Sequence, residues 1–455
     1  VKIAVDSWAW FSKDALSSVQ ILKLKQSLTL QPQKVGDYPG DDPSPLHLYE
    51  ERPDKFGVPR GFFFKYRRPD HEIIPSYTEG DKSAWHSDLS FSGRLEPDQE
   101  KAVAQICDAF ESGDLGGILC AGCGWGKTVA TLALIARLNV PTLITVHKGF
   151  LMRQWLERIA RFLPKALVGV VQQDRCEFKG RHIVVAMNDS LIARDYGACF
   201  RNHFGLIISD EVHRIGAPTW SQIPPRFPAR WRLGLSATPR RKDGAEDVFW
   251  HHIGPILYTG RTQRLKPVIK RVHTGFVLPK GDKINQGLLK KTILLKFLVQ
   301  NKKRNMIIVN QIQQAARSGR KILVLSERLD QHLRVLDDLL RKTWEPEWGI
   351  LPTIGYYIGG MKDGDYEKAE EAQVIFATAQ LVQEALDIPP LDTLILATPI
   401  SDVEQAVGRI QRPYPGKKEP IVVDIRDDNI GLCKRAAFSR WNLYYKKSWV
   451  RSMDF

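Results

Sequence analysis

The richest chemistry in this 455-residue chain lies between Ala121 and Thr128, where the sequence reads Ala-Gly-Cys-Gly-Trp-Gly-Lys-Thr. A small residue, four variable positions and then Gly-Lys-Thr is the spacing of a loop that cradles phosphate. Gly122, Gly124 and Gly126 let backbone N–H groups turn inward around a β-phosphate, and a helix starting there aims its positive end at the same point. Lys127 is placed to reach the β- and γ-phosphates and the Thr128 hydroxyl to ligate Mg²⁺, so ATP with Mg²⁺ is the expected ligand. An accidental glycine-rich turn is the bland alternative, and the flanks argue against it. Ile118-Leu119-Cys120 is a short apolar run fit for a buried strand, and residues 128–138 carry helical apolar spacing.

Two further constellations complement the loop. Asp210 and Glu211 follow the apolar run Leu206-Ile207-Ile208, which sets both carboxylates at the carboxyl end of a strand. Asp210 is placed to hold Mg²⁺ through water and Glu211 to orient and deprotonate an attacking water. Gln405, Arg409 and Arg412 are spaced four and three apart, which predicts one shared helix face. An arginine that compensates charge on a transferring γ-phosphate is worth roughly 10³ to 10⁵ in rate. These arginines fall in a second lobe, so hydrolysis is expected to require closure of the two lobes.

Cys120 and Cys123 form a C-x-x-C, but no second pair stands at ligand spacing, so neither a zinc nor a disulfide framework is indicated. Hydrophobic content of 43% with 26% charged residues is that of a globular chain, and no apolar run is long enough to span a bilayer. The first residues carry no secretory pattern, and a cytoplasmic location is expected (the host cytoplasm for a virus, the nucleus as an option in a eukaryote). The net charge is +15, concentrated between Arg261 and Arg304, where 13 Lys or Arg face one Asp, and again from Lys434 to Phe455, where six face one. A polyanionic partner explains such clustering, because Lys and Arg that meet phosphates release counterions.

Short apolar strands alternate with helical stretches from about 91 to 258, and the pattern restarts at Lys321 and runs to about 425. That alternation predicts two parallel-sheet α/β lobes with a cleft between them and ligands at the carboxyl ends of the strands. Residues 1–90 are expected to form a smaller accessory domain. Within it, residues 60–68 mix bases with aromatics, as base-stacking surfaces do, yet read first as an amphipathic strand. Residues 259–425 are assigned to the second lobe and 426–455 to a basic aromatic tail. Trp441, Tyr445 and Trp449, spaced by four, predict an aromatic stripe that either docks the tail as core or engages a nucleic-acid branch.

The phosphate loop, the Asp210-Glu211-Val212-His213 box, Ser236-Ala237-Thr238-Pro239 and the run from Gln405 to Arg412, in this order, resemble a superfamily-2 helicase. Residues 233–244, 253–258, 324–328 and 356–362 extend the resemblance toward the XPB-like group, which includes phage branch-processing helicases of the UvsW type. The resemblance covers about 91 to 425. It implies two RecA-like lobes, with Gln99 reading adenine and Asp387 near the ribose. His213, Ser236 and Thr238 would couple hydrolysis to strand movement. Lys148, Asn188, Arg328, Lys362 and Thr378 would grip the nucleic-acid backbone. Lys242 stands where XPB-like proteins carry Glu, and Ala385 replaces a usual glycine. The resemblance implies a monomeric DNA helicase or translocase acting on duplex, forked or branched DNA in replication, recombination or repair, without a membrane partner. An RNA helicase, or a DNA-binding remodelling scaffold, is the alternative.

Overall fold

The computed structural model describes all residues except 34–43, 84–88, 123, 218, 238–242, 262–263, 280–290, 360, 362, 380–387 and 451–455. The chain divides into two compact units, Val1–Thr262 and Gln263–Phe455.

Among the described residues the first unit contains an eight-stranded sheet, a five-stranded sheet and the two-stranded pair Thr29–Leu30 and Leu46–His47. The eight-stranded sheet runs in the spatial order Arg175–Cys176, Val168–Gln172, Ile183–Met187, Thr142–Val146, Leu206–Ser209, Trp231–Ser236, Gly116–Ala121 and Ile256–Gly260. Every pairing is parallel except the short antiparallel edge at Arg175–Cys176. Its inner strands are buried along their length, as a parallel sheet covered on both faces requires. The helix Gly149–Phe162 buries Leu151, Met152, Trp155 and Ile159, one face of a 3.6-residue repeat. Three parallel neighbours, Leu206–Ser209, Trp231–Ser236 and Gly116–Ala121, release the acidic box, Ser236 and the phosphate loop from the same sheet edge. The sheet runs past 258 because Ile256–Gly260 pairs with the strand ahead of the phosphate loop.

The five-stranded sheet has the order Glu50–Glu51, Lys55–Pro59, Trp8–Ser12, Lys2–Val5, Glu72–Pro75. It shares a continuous core with the larger lobe, since Ile3, Val5, Phe56 and Phe63 cluster with Leu115, Ile118, Val248 and Phe249. The basic aromatic run expected to be a strand is instead the helix Arg60–Tyr66. Arg60 is 2% exposed and donates to four main-chain carbonyls, Asp6 at 3.1 Å, Ala229 at 2.7 Å, Leu115 at 2.7 Å and Arg230 at 2.8 Å. The base therefore staples the accessory sheet to the lobe. Arg232 does the same from the lobe side, donating to Ser7, Phe227 and His252 carbonyls. His251 and His252 are buried packing residues, edge-on to Phe62 and Trp8.

The second unit is a six-stranded, wholly parallel sheet in the order Val268–His273, Ile421–Arg426, Thr393–Leu396, Ile322–Ser326, Val374–Thr378, Ile354–Tyr357. The protein is thus α/β, with two RecA-like parallel-sheet lobes and a smaller N-terminal sheet. Part of the basic stretch is structural. Val268–His273 is an edge strand, and Arg304, 1% exposed, is paired with Asp427 at 2.9 Å.

The aromatic stripe of the tail does not form as spaced. The helix Gly431–Lys446 buries Trp441 and Tyr444, leaves Tyr445 exposed, and ends before Trp449. Ser448 takes a left-handed φ of 57°, which turns Trp449 back onto the Tyr444 ring at 6.0 Å. Arg440 of the same helix is buried against Asp424 of the sheet at 2.6 Å, so this helix belongs to the core of the second unit.

Candidate nucleotide site and strand-end cluster

The phosphate loop follows the strand Gly116–Ala121 and leads into the helix Lys127–Leu138. Gly124 and Gly126 hold left-handed φ values of 82° and 90°, which a side chain would strain. A Cβ on Gly126 would also stand 2.3 Å from the Gln99 amide nitrogen. Gln99, which is buried, donates to the Trp125 carbonyl at 2.7 Å and accepts from the Glu96 N–H at 2.9 Å. The Lys127 ammonium donates to the Ala121 carbonyl at 2.8 Å, across the mouth of the loop. Thr128 is half-buried in the first turn of the helix, and Gly122 is half-buried in the loop.

The acidic box leaves the strand Leu206–Ser209. Asp210 donates its N–H to the Thr145 carbonyl, and its carboxylate accepts from the Glu211 N–H and the Trp155 indole, both at 2.9 Å. Burial and the neighbouring Glu211 carboxylate push the Asp210 carboxyl up to about 6, although the Trp155 hydrogen bond and the Lys127 charge oppose the rise. Two carboxylates this close, with Lys127 nearby, suit a divalent cation that would relieve their repulsion. Glu211 sits at φ 48°, a left-handed turn that ends the strand. Its carboxylate lies 3.3 Å from His213 Nδ1, which is also 3.3 Å from the Ser236 hydroxyl. Asp210, Glu211, His213 and Ser236 therefore form one connected cluster at adjacent strand ends. Thr238 lies outside the described residues, as do Cys123 and Lys242.

Lys148 and Asn188 arise at the same edge of the sheet, because Val146 and Met187 are register partners on neighbouring strands. Asn188 is 2% exposed, and its carbonyl oxygen has no hydrogen-bond partner among the described residues. Arg214 and burial hold the Lys148 ammonium below its usual range. In the second unit, Arg328 and Thr378 share an edge, since Ser326 pairs with Thr378 and accepts the Arg328 N–H at 3.1 Å. Lys362, Ala385 and Asp387 lie outside the described residues.

Gln405 and Arg409 occupy the helix Glu404–Ile410, but Arg412 does not. The helix stops two residues short of it, because Pro413 disfavours helical backbone at the residue before it. Arg409 and Arg412 are each 8% exposed, and Arg409 Nε is buried without a hydrogen-bond partner among the described residues. No group of three His, Cys, Asp or Glu side chains among the described residues is arranged for a metal ion. Burial pushes the Cys120 thiol up, which disfavours a thiolate ligand there. Among the described residues no helix is long and apolar enough to cross a membrane.

Sequence reasoning passed over Trp155, Asp98 and Tyr258. An indole bonded to the Asp210 carboxylate leaves no spacing signal, as Trp155 and Asp210 are 55 positions apart. For Asp98 the available signal was its place beside Gln99.

Residues 92–241 match the family described as Type III restriction enzyme, res subunit. The "Putative ATP-dependent RNA helicase L396" of Acanthamoeba polyphaga mimivirus is 30% identical over 96% of this chain and 84% of its own length. The "Probable helicase D10" of Escherichia phage T5 is 24% identical over 72% of this chain and 71% of its own. The crystal structure of T4 UvsW aligns over 98% of this chain and 97% of its own at 16% identity and a TM-score of 0.39, too distant a likeness to add weight. With the mimivirus relative matched along nearly its whole length, the chain belongs to the superfamily-2 helicases.

Proposed function

We propose that the chain is an ATP-driven DNA helicase or translocase that remodels duplex, forked or branched DNA. The observation that carries the reading is the cluster in which Lys127, Asp210, Glu211, His213 and Ser236 meet at neighbouring strand ends of one parallel sheet. Lys127 exchanges the Ala121 carbonyl for the β- and γ-phosphates, and Gln99 reads the adenine edge. Thr128 and Asp210 would hold Mg²⁺, which when bound neutralises charge on the phosphates. Glu211 orients the attacking water and takes its proton. Arg409 and Arg412 supply compensating charge on the γ-phosphate with Gln405 beside them as a neutral hydrogen-bonding group, Asp387 lies near the ribose, and His213, Ser236 and Thr238 pass the change in phosphate state to the strand-gripping residues. Lys148, Asn188, Arg328, Lys362 and Thr378 hold the sugar–phosphate backbone, so little base sequence is read.

DNA is favoured over RNA by the match of residues 233–244 and 356–362 to the DNA-acting XPB-like group. The RNA reading is favoured by the names of viral relatives, since the mimivirus protein and QP509L of African swine fever virus are both called putative ATP-dependent RNA helicases. The test compares ATP hydrolysis stimulated by single strands, duplexes, forks and four-way junctions of DNA and of RNA, with Lys127→Ala as control. Stimulation by DNA, strongest with branched forms, is expected, together with loss of hydrolysis in the variant. Stimulation by RNA alone would overturn the DNA assignment, and an inert wild type on every substrate would overturn the motor.

A further inference from the structure

One carboxylate, Asp98, gathers three groups that lie far apart in the chain. It accepts from the Trp125 indole at 2.7 Å, from the Tyr258 hydroxyl at 2.8 Å and from the Arg261 N–H at 2.9 Å. Trp125 is the residue of the phosphate loop just before Gly126, and it is 7% exposed. Its carbonyl is held by the adjacent Gln99, so the loop is gripped at the indole and at the main chain by two consecutive side chains. Arg261 lies one residue, and Tyr258 four residues, before the limit of the first unit at Thr262.

The packing around this carboxylate is close. A Cβ on Gly260 would stand 2.6 Å from the Trp125 ring, so glycine there lets the strand pass over the indole. The strand Ile256–Gly260 slips register between Ile256 and Tyr258, which locally redirects the chain at the tyrosine. Hydrogen bonds from the Trp125 indole and the Tyr258 hydroxyl help hold the Asp98 carboxyl below its usual value even though burial acts the other way, so it stays an acceptor through the neutral range. This carboxylate joins the loop between Ala121 and Lys127 to the end of the strand Ile256–Gly260 and the residue after it.

We infer that Asp98, Trp125 and Tyr258 form a latch that couples the phosphate loop to the connector between the two units, acting as positioning residues for nucleic-acid-stimulated hydrolysis. The inference rests on the proposed ATPase reading. Phosphates that draw Lys127 from the Ala121 carbonyl shift the loop, and Trp125 transmits that shift through the carboxylate to Tyr258 and Arg261.

The experiment uses the full chain, ATP, and whichever nucleic acid best stimulates the wild type. Tyr258→Phe removes one hydroxyl and leaves the ring contact, and Trp125→Phe removes the indole donor. Tyr258→Phe is expected to keep the unstimulated rate, the KM for ATP and the melting temperature, while stimulated kcat falls roughly 5-fold or more, the usual lower bound of a coupling between sites. Trp125→Phe is expected to lower stimulation at least as far, and Asp98→Asn, which keeps one acceptor oxygen, to retain part of it. Full stimulation in Tyr258→Phe would overturn the latch. A parallel fall of both rates with the melting temperature would also overturn it, leaving a structural tie only. If Lys127→Ala hydrolyses ATP like the wild type, the underlying ATPase reading fails instead, whatever Tyr258→Phe does.

Discussion

The two units bury arginines in different ways. In the first, Arg60 and Arg232 end on main-chain carbonyls and on no carboxylate. Burial lowers both, Arg60 to about 10, although the nearby Asp6 charge opposes the fall. In the second, Arg304 and Arg440 end on Asp427 and Asp424, in ion pairs as buried as any in the chain. The carbonyl-bound pair clamps irregular backbone from an added sheet onto a lobe, where many acceptors converge and no side chain is at hand. The carboxylate-bound pair fastens helices to strand ends within one lobe. Arg409 follows neither pattern. It is 8% exposed and forms no ion pair among the described residues. Among the described residues the Arg409 guanidinium is not committed to carbonyls as those of Arg60 and Arg232 are, so it is the one of these arginines proposed to meet a visiting phosphate.

The largest expected effect tests that separation. Arg409→Ala should lower stimulated ATP hydrolysis by roughly 10³ to 10⁵ while leaving the melting temperature nearly unchanged. Steady-state kinetics beside calorimetry decide it, and a collapse of stability with modest loss of rate would place Arg409 among the structural arginines. Arg304→Met should do the reverse, costing about 3–5 kcal/mol because Asp427 is left buried and unpaired. Urea unfolding measures this, and Arg304→Met combined with Asp427→Leu should recover much of the loss. Arg60→Lys should cost less, about 1–3 kcal/mol, since a lysine cannot meet all four carbonyls at once. Equal losses at Arg60→Lys and Arg304→Met would erase the contrast between the two modes of burial.

The smallest effect is one of pH. Asp210 is raised to about 6 by burial and Glu211, so the nucleotide-free fold holds its proton to higher pH than the unfolded chain does. Its contribution to stability is present at low pH, below the ordinary carboxylate value of 3.8, and is lost as pH rises through about 6. Hydrolysis needs the charged form and should climb over the same interval. Asp210→Asn should flatten the stability profile between those limits and abolish the rise in rate.

Much of the fold was legible because it depends on local patterns. The apolar runs at 118–120, 206–208 and 322–325 and the helical spacing of 128–138 and 150–162 all became the expected elements, since buried parallel strands and amphipathic helices carry their burial in their own residues. The same locality misled at Arg60–Tyr66, where a run this short fits either period. Only the convergence of carbonyls from positions 6, 115, 229 and 230 decides that its first arginine turns inward. Arg412 left the predicted helix face because Pro413 follows it, a signal present in the chain but outweighed by the spacing.

By itself the sequence determined which residues can do chemistry. Gly124, Gly126, Lys127 and Thr128 have the spacing of a phosphate loop between a strand and a helix, and Asp210 with Glu211 follows a strand, because both features are written in consecutive positions. Tertiary structure alone decided which side chains tune that chemistry. Trp155 reaches Asp210 across 55 positions, and Tyr258 reaches Asp98 across 160. Hydrogen bonds of that kind depend on which strands become neighbours in the sheet, and strand order is set by packing the whole lobe at once rather than by any segment within it.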